Sequence, residues 1–509
     1  MQLISQGDGA GALRQTFLLD QSVTKRLKIN TSEIIIEKRK ITYNFDMYDP
    51  YEVKKFIENG SPIEDIIIDI LLTKSVTTQN IFGISVAVED QTIPALVTIK
   101  VLKSIAPTAK IVLGGNILTR IYNELIAANL LEGVDIIVTH EGEDAWKCIS
   151  NADIDKLNDC CKKNTINLRS TTPSPLVSEP YSSSEYFPPR VNFPIHELSE
   201  YHALHGCLPI ITSKRCYWSK CDFCAIYAGW GNKHKRRKIS EVISEIKHHT
   251  SNGIKYFRIV DEDLHPNAFI DLVDKLSDSG IDARFEAYSR FEKKLLTNDF
   301  YDRAYKAGFR QLFFGLESSC KNETDKWNKT NSAYDLDIIN DTLEASSKAG
   351  ILNYVFILIG LPGSSISAEK DTIEYVIHNK NIHCATVGSF VVDKLSPIHK
   401  NQNIQDKYNI RTTVDTRITT EVDYRNNNTS TKASAKDRAK KYIGNLFQRR
   451  PDLAVSSGLS EENRMILSDI FGNSFLLDHA TGLLNSQDPN LSSIVHDTKR
   501  RIVREKIDK

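Results

Sequence analysis

The chain has 509 residues, 40% hydrophobic and 26% charged, the composition of a soluble globular protein too long for one core, and its length suggests about three domains. Its 65 Lys and Arg balance 65 Asp and Glu, so no global field steers it toward nucleic acid or anionic lipid, and no nucleic-acid partner is expected. The opening MQLISQGDGAGALRQTF does not read as a secretory signal, and apolar runs such as EDIIIDILL are too short to span a membrane. A cytoplasmic location is the expectation. In that reducing compartment clustered cysteines point to metal ligands or catalytic thiols rather than disulfides.

Residues 1–62 form an N-terminal extension, polar and weakly periodic, with one strand-like run at SEIIIEKRKITYNF. From 63 to 150 the pattern alternates: NIFGISVAV reads as a strand, QTIPALVTIKVLKSIAP as a helix, AKIVLGG as a strand, ILTRIYNELIAANLLE as a helix and VDIIVTHEGE as a strand. Such alternation predicts an α/β, doubly wound, Rossmann-like domain. Residues 151–200, rich in Ser and Pro, read as a linker.

The rhythm returns over 201–400. The strands CLPIITS, KYFRIVDED, ARFEAYS, FRQLFFGLES, NYVFILIGLPG and ATVGSFVV alternate with helices expected at 239–252, 266–279, 293–307, 333–349 and 367–379. Six such units predict a partial (β/α)6 barrel of the TIM type, whose ligands meet the carboxyl ends of the strands. Residues 401–509 read as a mostly helical accessory region, with helices near 435–448 and 460–471.

CYWSKCDFC, residues 216–224, places three of the nine cysteines four and two residues apart, directly after the first barrel strand. Three thiolates in such a loop can converge on a metal. A structural zinc needs a fourth ligand, for which Cys207, His205 or His234 could serve. A cubane iron–sulfur cluster instead leaves one of its four irons open to substrate or cofactor.

With SKRCYWSKCDFCAIY, YFRIVDEDL, ARFEAYSRFEK, AGFRQLFFGLES and FILIGLPG in this order, and GISVAVEDQ, IVLGGN and VTHEGE before them, residues 63–400 resemble the cobalamin-binding branch of the radical S-adenosylmethionine superfamily. The commoner spacing there is C-x3-C-x2-C; this chain has C-x4-C-x2-C. The resemblance implies that Cys216, Cys221 and Cys224 hold a 4Fe-4S cluster whose open iron takes the amino and carboxylate groups of S-adenosylmethionine. It places Phe223 near the adenine and one of Asp261, Glu262 and Asp263 on the methionyl ammonium. Glu286 belongs to the same cofactor site, Arg290 would pair with the methionyl carboxylate, Glu317 or Ser318 with the ribose, and Gly360 and Gly363 would let backbone approach the ligand. Cobalamin would lie over the N-terminal strand ends, near Ser85, Val86, Gly114, Gly115, Asn116, Glu141, Gly142 and Glu143. No His precedes His140 and no D-x-H-x-x-G occurs, so no imidazole ligand to cobalt can come from that motif.

The activity so implied is reductive cleavage of S-adenosylmethionine to a 5'-deoxyadenosyl radical. Its first expected use is cobalamin-dependent methylation of an unactivated carbon of a natural product or peptide, with electrons from a donor such as flavodoxin or ferredoxin. The rivals are a non-methylating rearrangement, cyclisation or oxidation with a vestigial cobalamin domain, and a zinc-stabilised binding module.

Overall fold

The computed structural model describes residues 40–72, 79–151, 165–168, 206–230, 233–329, 335–413, 416–426, 431–475 and 477–479, together with 29–30, 34–37 and 187. Strands β1 (Ile29–Asn30), β2 (Ile34–Glu37) and β3 (Lys40–Tyr43) form an antiparallel sheet, so the single strand-like run near the N-terminus is a hairpin. Helix Pro50–Glu58 starts on a proline, which needs no N–H partner there, while Asp49 caps it by accepting from Tyr51 N.

Strands β4 (Ile81–Ser85), β5 (Lys110–Gly114) and β6 (Ile136–Val138) are parallel. β7 (Thr165–Asn167) lies antiparallel on β6, so part of the expected linker is an edge strand. The described strands run in sequential order, β4-β5-β6-β7. Without a reversal of order, two crossovers of one hand put both helices on one face. Helices Thr92–Ile105 and Asn116–Ala127 accordingly share one apolar cluster with Ile111, Leu113 and Ile137. Ala145 and Ile149 of Glu143–Asn151 cover the other face at Val112, Ile136 and Val138. The expected doubly wound topology is corrected to a singly wound sheet covered on both faces.

The larger sheet is parallel and sequential: β8 (Cys207–Ile210), β11 (Tyr256–Ile259), β12 (Arg284–Ser289), β13 (Phe309–Glu317), β14 (Leu352–Ile359) and β15 (Cys384–Ser389). Between the first two, β9 (Ser213–Lys214) pairs with β10 (Lys235–Arg236) and brackets the cysteine loop. Alternate residues such as Phe257, Phe285, Leu312, Val355 and Ala385 join the outer core with the helices. Their neighbours Arg258, Glu286, Gln311 and Tyr354 therefore face the barrel interior. The expected helix 293–307 is a 3-10 turn, Lys293–Leu296, then helix Phe300–Lys306; Asn298 and Asp299 between them take left-handed backbone.

The C-terminal region is part of the barrel. Ala439, Tyr442, Ile443 and Leu446 of Lys432–Arg449 pack into the outer core, and Glu461–Phe471 closes the amino-terminal end of the barrel. There Asp469 accepts from Tyr256 Oη (3.1 Å), Arg284 Nε (2.5 Å) and Arg310 Nε (2.8 Å). Residues 394–420 tie the barrel to the smaller sheet: Lys394 pairs with Glu124 (2.6 Å), and Thr419 Oγ1 donates to Glu89 (2.9 Å). No helix among the described residues is long and apolar enough to cross a membrane.

Candidate functional site

Cys216, Cys221 and Cys224 lie at the carboxyl end of β8, in a loop whose turns use left-handed Arg215 and Ser219. Ser219 Oγ bonds back to the carbonyl of Cys216. Asp222, between two of the cysteines, fastens the loop: it accepts from Asn328 Nδ2 (2.8 Å), Tyr408 Oη (2.7 Å) and Lys407 Nζ (3.1 Å). Its backbone N–H donates to Trp327 O (3.1 Å), and Ile398 N–H donates to its carbonyl (2.9 Å). Trp327 stacks on Tyr408, ring centroids 4.1 Å apart and planes 2° from parallel, so the end of helix Lys321–Lys326, the cysteine loop and the 397–408 segment form one packed unit.

Burial pushes all three thiols up, Cys216 to about 11 and Cys224 to about 12; each of these two also feels Cys221. Lys329 and Arg290 oppose the shift at Cys221, so cations stand where thiolate charge would develop. Among the described residues no three His, Cys, Asp or Glu are gathered for a single metal ion. Cys207, considered as a fourth zinc ligand, packs instead with Tyr256, Met465 and Ile466 at the opposite end of the barrel. His234 stacks edge-on with Tyr217, and His205 lies outside the described residues.

The three acids after β11 divide. Asp261 accepts from Thr212 N (2.6 Å), Thr212 Oγ1 (2.5 Å) and Ser213 Oγ (2.6 Å), fixing the strand end before the cysteines. Glu262 accepts from Trp230 Nε1 at 2.8 Å. Asp263 faces the cluster loop: it is 5% exposed, 3.8 Å from Arg290, and its buried Oδ1 has no hydrogen-bond partner. Burial raises Asp263 to about 8 against the opposing pull of Arg290 and Lys329. Arg290 also bonds the carbonyl of Lys329 and lies over the Trp218 ring, 4.5 Å from its centroid. Glu317, in left-handed backbone, pairs with Lys329 (3.1 Å) beside Cys221.

Four of the expected residues have partners or positions of their own. Glu286 sits deeper in the barrel, in register with Arg258 and Gln311; it bonds Arg258 and accepts from Gln311 Nε2 (2.7 Å). Burial raises it to about 7. Ser318 turns away to Glu323 (3.0 Å) and Thr372 (3.3 Å). Gly363 is exposed, with φ 80 and open space around it, so it serves a turn. Gly360 has φ 83 and donates its N–H to Glu369 (2.8 Å). Phe223 packs beside Trp327, centroids 6.2 Å apart, at the edge of the cluster beneath Leu361.

A cavity of about 540 Å³, a size suited to small-molecule ligands, opens at the carboxyl ends of β4, β5 and β6. Ser85, Gly114, Gly115 and Asn116 line one side; Glu141, Gly142 and Glu143 line another. Val86 does not line it: its carbonyl lies 2.3 Å from where a Gly115 Cβ would stand, so only glycine, here at φ 117, keeps this wall. The remaining wall comes from Gly229 and Trp230, immediately after the cysteine loop. The cavity's glycine floor and its polar rim of Asn116, Glu141 and Glu143 fit a flat, amide-bearing ligand such as a corrin.

Asp222, Lys329, Trp230, His140 and Lys214 escaped the sequence reading. His140 lines the cavity in left-handed backbone, and burial lowers its pKa. Lys214 is fully buried against Glu141 (3.1 Å) and Glu143 (3.2 Å), joining β9 to the cavity wall. A lysine closing an apolar strand and an acid inside the cysteine pair were the available signals.

Residues 210–376 match the sequence profile of the Radical SAM superfamily. Residues 210–376 thus carry a radical S-adenosylmethionine domain. The chain's structural neighbours include proteins described as cobalamin-dependent radical enzymes. It is similar to TsrM from Kitasatospora setae, a radical S-adenosylmethionine methyltransferase with cobalamin and a 4Fe-4S cluster bound: 14% identity, TM-score 0.57, covering 86% of this chain and 90% of that one. TsrM with tryptophan substrate and a SAM analog aligns at 15% identity and TM-score 0.52, over 68% of this chain and 70% of that one. OxsB, a cobalamin-dependent S-adenosylmethionine radical enzyme with aqua-cobalamin and S-adenosylmethionine bound, aligns at 14% and 0.57, over 86% and 73%. At these identities the likeness is one of fold. No curated protein matches the chain.

Proposed function

We propose that the protein is a cobalamin-dependent radical S-adenosylmethionine methyltransferase acting on an unactivated carbon of a natural product or peptide. One observation carries this reading: Gly229 and Trp230, five and six residues after Cys224, wall the cavity over the smaller sheet, and Trp230 bonds Glu262 on the barrel rim. Cofactors bound at the cavity and at the cysteine loop would be neighbours.

Cys216, Cys221 and Cys224 would hold the 4Fe-4S cluster. When bound, it supplies the electron that breaks a carbon–sulfur bond of S-adenosylmethionine and releases a 5'-deoxyadenosyl radical, while cobalamin carries the methyl group. Asp263, with an oxygen to spare, receives the methionyl ammonium; Arg290 offers the methionyl carboxylate a planar fork of donors. Glu317 faces the ribose, with Lys329 holding it beside Cys221. Asn116 and Glu141 meet the corrin edge. Residues 397–408 and Asp222 hold the cysteine loop closed against water. A flavodoxin- or ferredoxin-type protein delivers the electrons.

The test is purification from cobalamin-fed cells, followed by assay with methyl-deuterated S-adenosylmethionine. The reading expects a stoichiometric corrin and a product heavier by one labelled methyl group. An active protein that stays free of corrin contradicts it.

A further inference from the structure

The upper half of the barrel interior carries a set of rings that no cofactor assignment uses. Tyr288 on β12, Phe313 on β13, and Tyr354 and Phe356 on β14 all face inward, because their alternate neighbours Ala287, Leu312, Phe314, Val355 and Ile357 lie in the outer core. Tyr288 and Phe313 stack with centroids 4.8 Å apart at 25°, Tyr354 and Phe356 at 4.9 Å and 24°. Tyr288 and Phe356, 6.0 Å apart, are within 14° of parallel.

Phe313 is 1% exposed, whereas Tyr288 and Phe356 are only half-buried, as is Leu358 one step nearer the rim. Beside Tyr288, in continued register with it, Val260 just after β11 is 40% exposed although strand alternation points it inward. An apolar wall left open inside a barrel is a binding surface. Below it, Glu286 is bonded by Arg258 and Gln311, and Arg464 donates to Gln311 (3.2 Å) while its buried Nη2 has no hydrogen-bond partner, so a polar floor lies beneath the apolar wall. Arg290, two residues beyond Tyr288, marks where the cofactor site begins.

Resting on the proposed function, we infer that this chamber is the substrate compartment and that it takes a flat aromatic ring system, stacked against Tyr288 and Phe356 with Val260 at its edge. Near-parallel rings favour offset stacking, which a saturated ring of equal size cannot supply.

The experiment is equilibrium dialysis of the reconstituted holoprotein with 2-naphthol and with its saturated counterpart decahydro-2-naphthol, in the presence of saturating S-adenosylhomocysteine. Naphthol is expected to bind about five- to tenfold more tightly than the saturated alcohol. Phe356→Leu, which keeps apolar bulk but removes the ring, should bring the two affinities close to equality. Equal binding of both alcohols, unchanged selectivity in Phe356→Leu, or displacement of naphthol by S-adenosylhomocysteine would each overturn the inference, the last by assigning the rings to the nucleoside. The same wild-type preparation is reduced with dithionite and assayed for 5'-deoxyadenosine. If it forms 5'-deoxyadenosine without discriminating the alcohols, the inference alone fails; if it forms none, the proposed function fails and takes the inference with it.

Discussion

The indole N–H of Trp230 donates to Oε1 of Glu262 at 2.8 Å, joining the cavity over the smaller sheet to the end of barrel strand β11. Burial raises the Glu262 pKa, and the indole bond opposes that rise. Trp230→Phe keeps a ring in the cavity wall but leaves a part-buried carboxylate without this donor. A hydrogen bond to a charged group contributes about 2 kcal/mol, so the variant should unfold at lower urea by roughly that amount. Glu262→Gln, whose amide oxygen still accepts, should lose less. Equal losses would show that the bond is incidental.

Asp222 makes the cysteine loop depend on residues almost two hundred positions downstream. Asp222→Ala removes the acceptor shared by Asn328, Lys407 and Tyr408, the last two keeping the carbonyl of Lys326, and a loss of about 3 kcal/mol is expected. Iron and sulfide per chain after anaerobic reconstitution should fall with it. Tyr408→Phe, which removes one donor and keeps the stack on Trp327, should cost about 1 kcal/mol and leave iron content near wild type.

Lys214 and Glu141 have side chains 1% exposed and 3.1 Å apart. Removing Glu141 leaves the buried Lys214 charge to the more exposed Glu143, so Glu141→Leu should destabilise by about 3 kcal/mol. The double variant Lys214→Met with Glu141→Leu should recover much of that loss. Thermal unfolding of the three proteins checks the order, and a double variant worse than Glu141→Leu would refute it.

The six barrel strands were legible because each is an apolar run separated by a helix of matching length, and the cysteine loop because its spacing is rare outside metal sites. The acids after β11 were not separable: strand periodicity ends at Ile259, and only the folded loop shows that Asp261 holds Thr212 and Ser213 while Asp263 faces the thiols. The partners of Glu286, Arg258 and Gln311, were not legible because they meet it only through strand register. The reversal implied by a doubly wound sheet could not be tested from alternation alone, since alternation states that strands are parallel and not their order. The C-terminal helices read as accessory because their apolar faces find the barrel only in three dimensions.

His383 offers a pH test away from the site. It is buried, its Nδ1 accepts from Asn353 N–H (2.9 Å), and burial together with nearby Arg450 lowers its pKa from 6.5 to about 4. The folded protein therefore holds a neutral imidazole, while the unfolded chain takes up a proton below 6.5. This stability is complete above pH 6.5 and is lost as pH falls toward 4, by up to about 3 kcal/mol. Urea midpoints measured from pH 7 to 4.5 should decline less steeply in His383→Gln than in wild type; parallel profiles would count against the assignment.

The central claim is that Cys216, Cys221 and Cys224 support reductive cleavage of S-adenosylmethionine. After anaerobic reconstitution with iron and sulfide, wild-type protein given reductant and S-adenosylmethionine should form 5'-deoxyadenosine, quantified by mass spectrometry. The triple Cys→Ala variant at 216, 221 and 224 should form none. A triple variant that binds iron and produces 5'-deoxyadenosine as well as wild type would contradict the account.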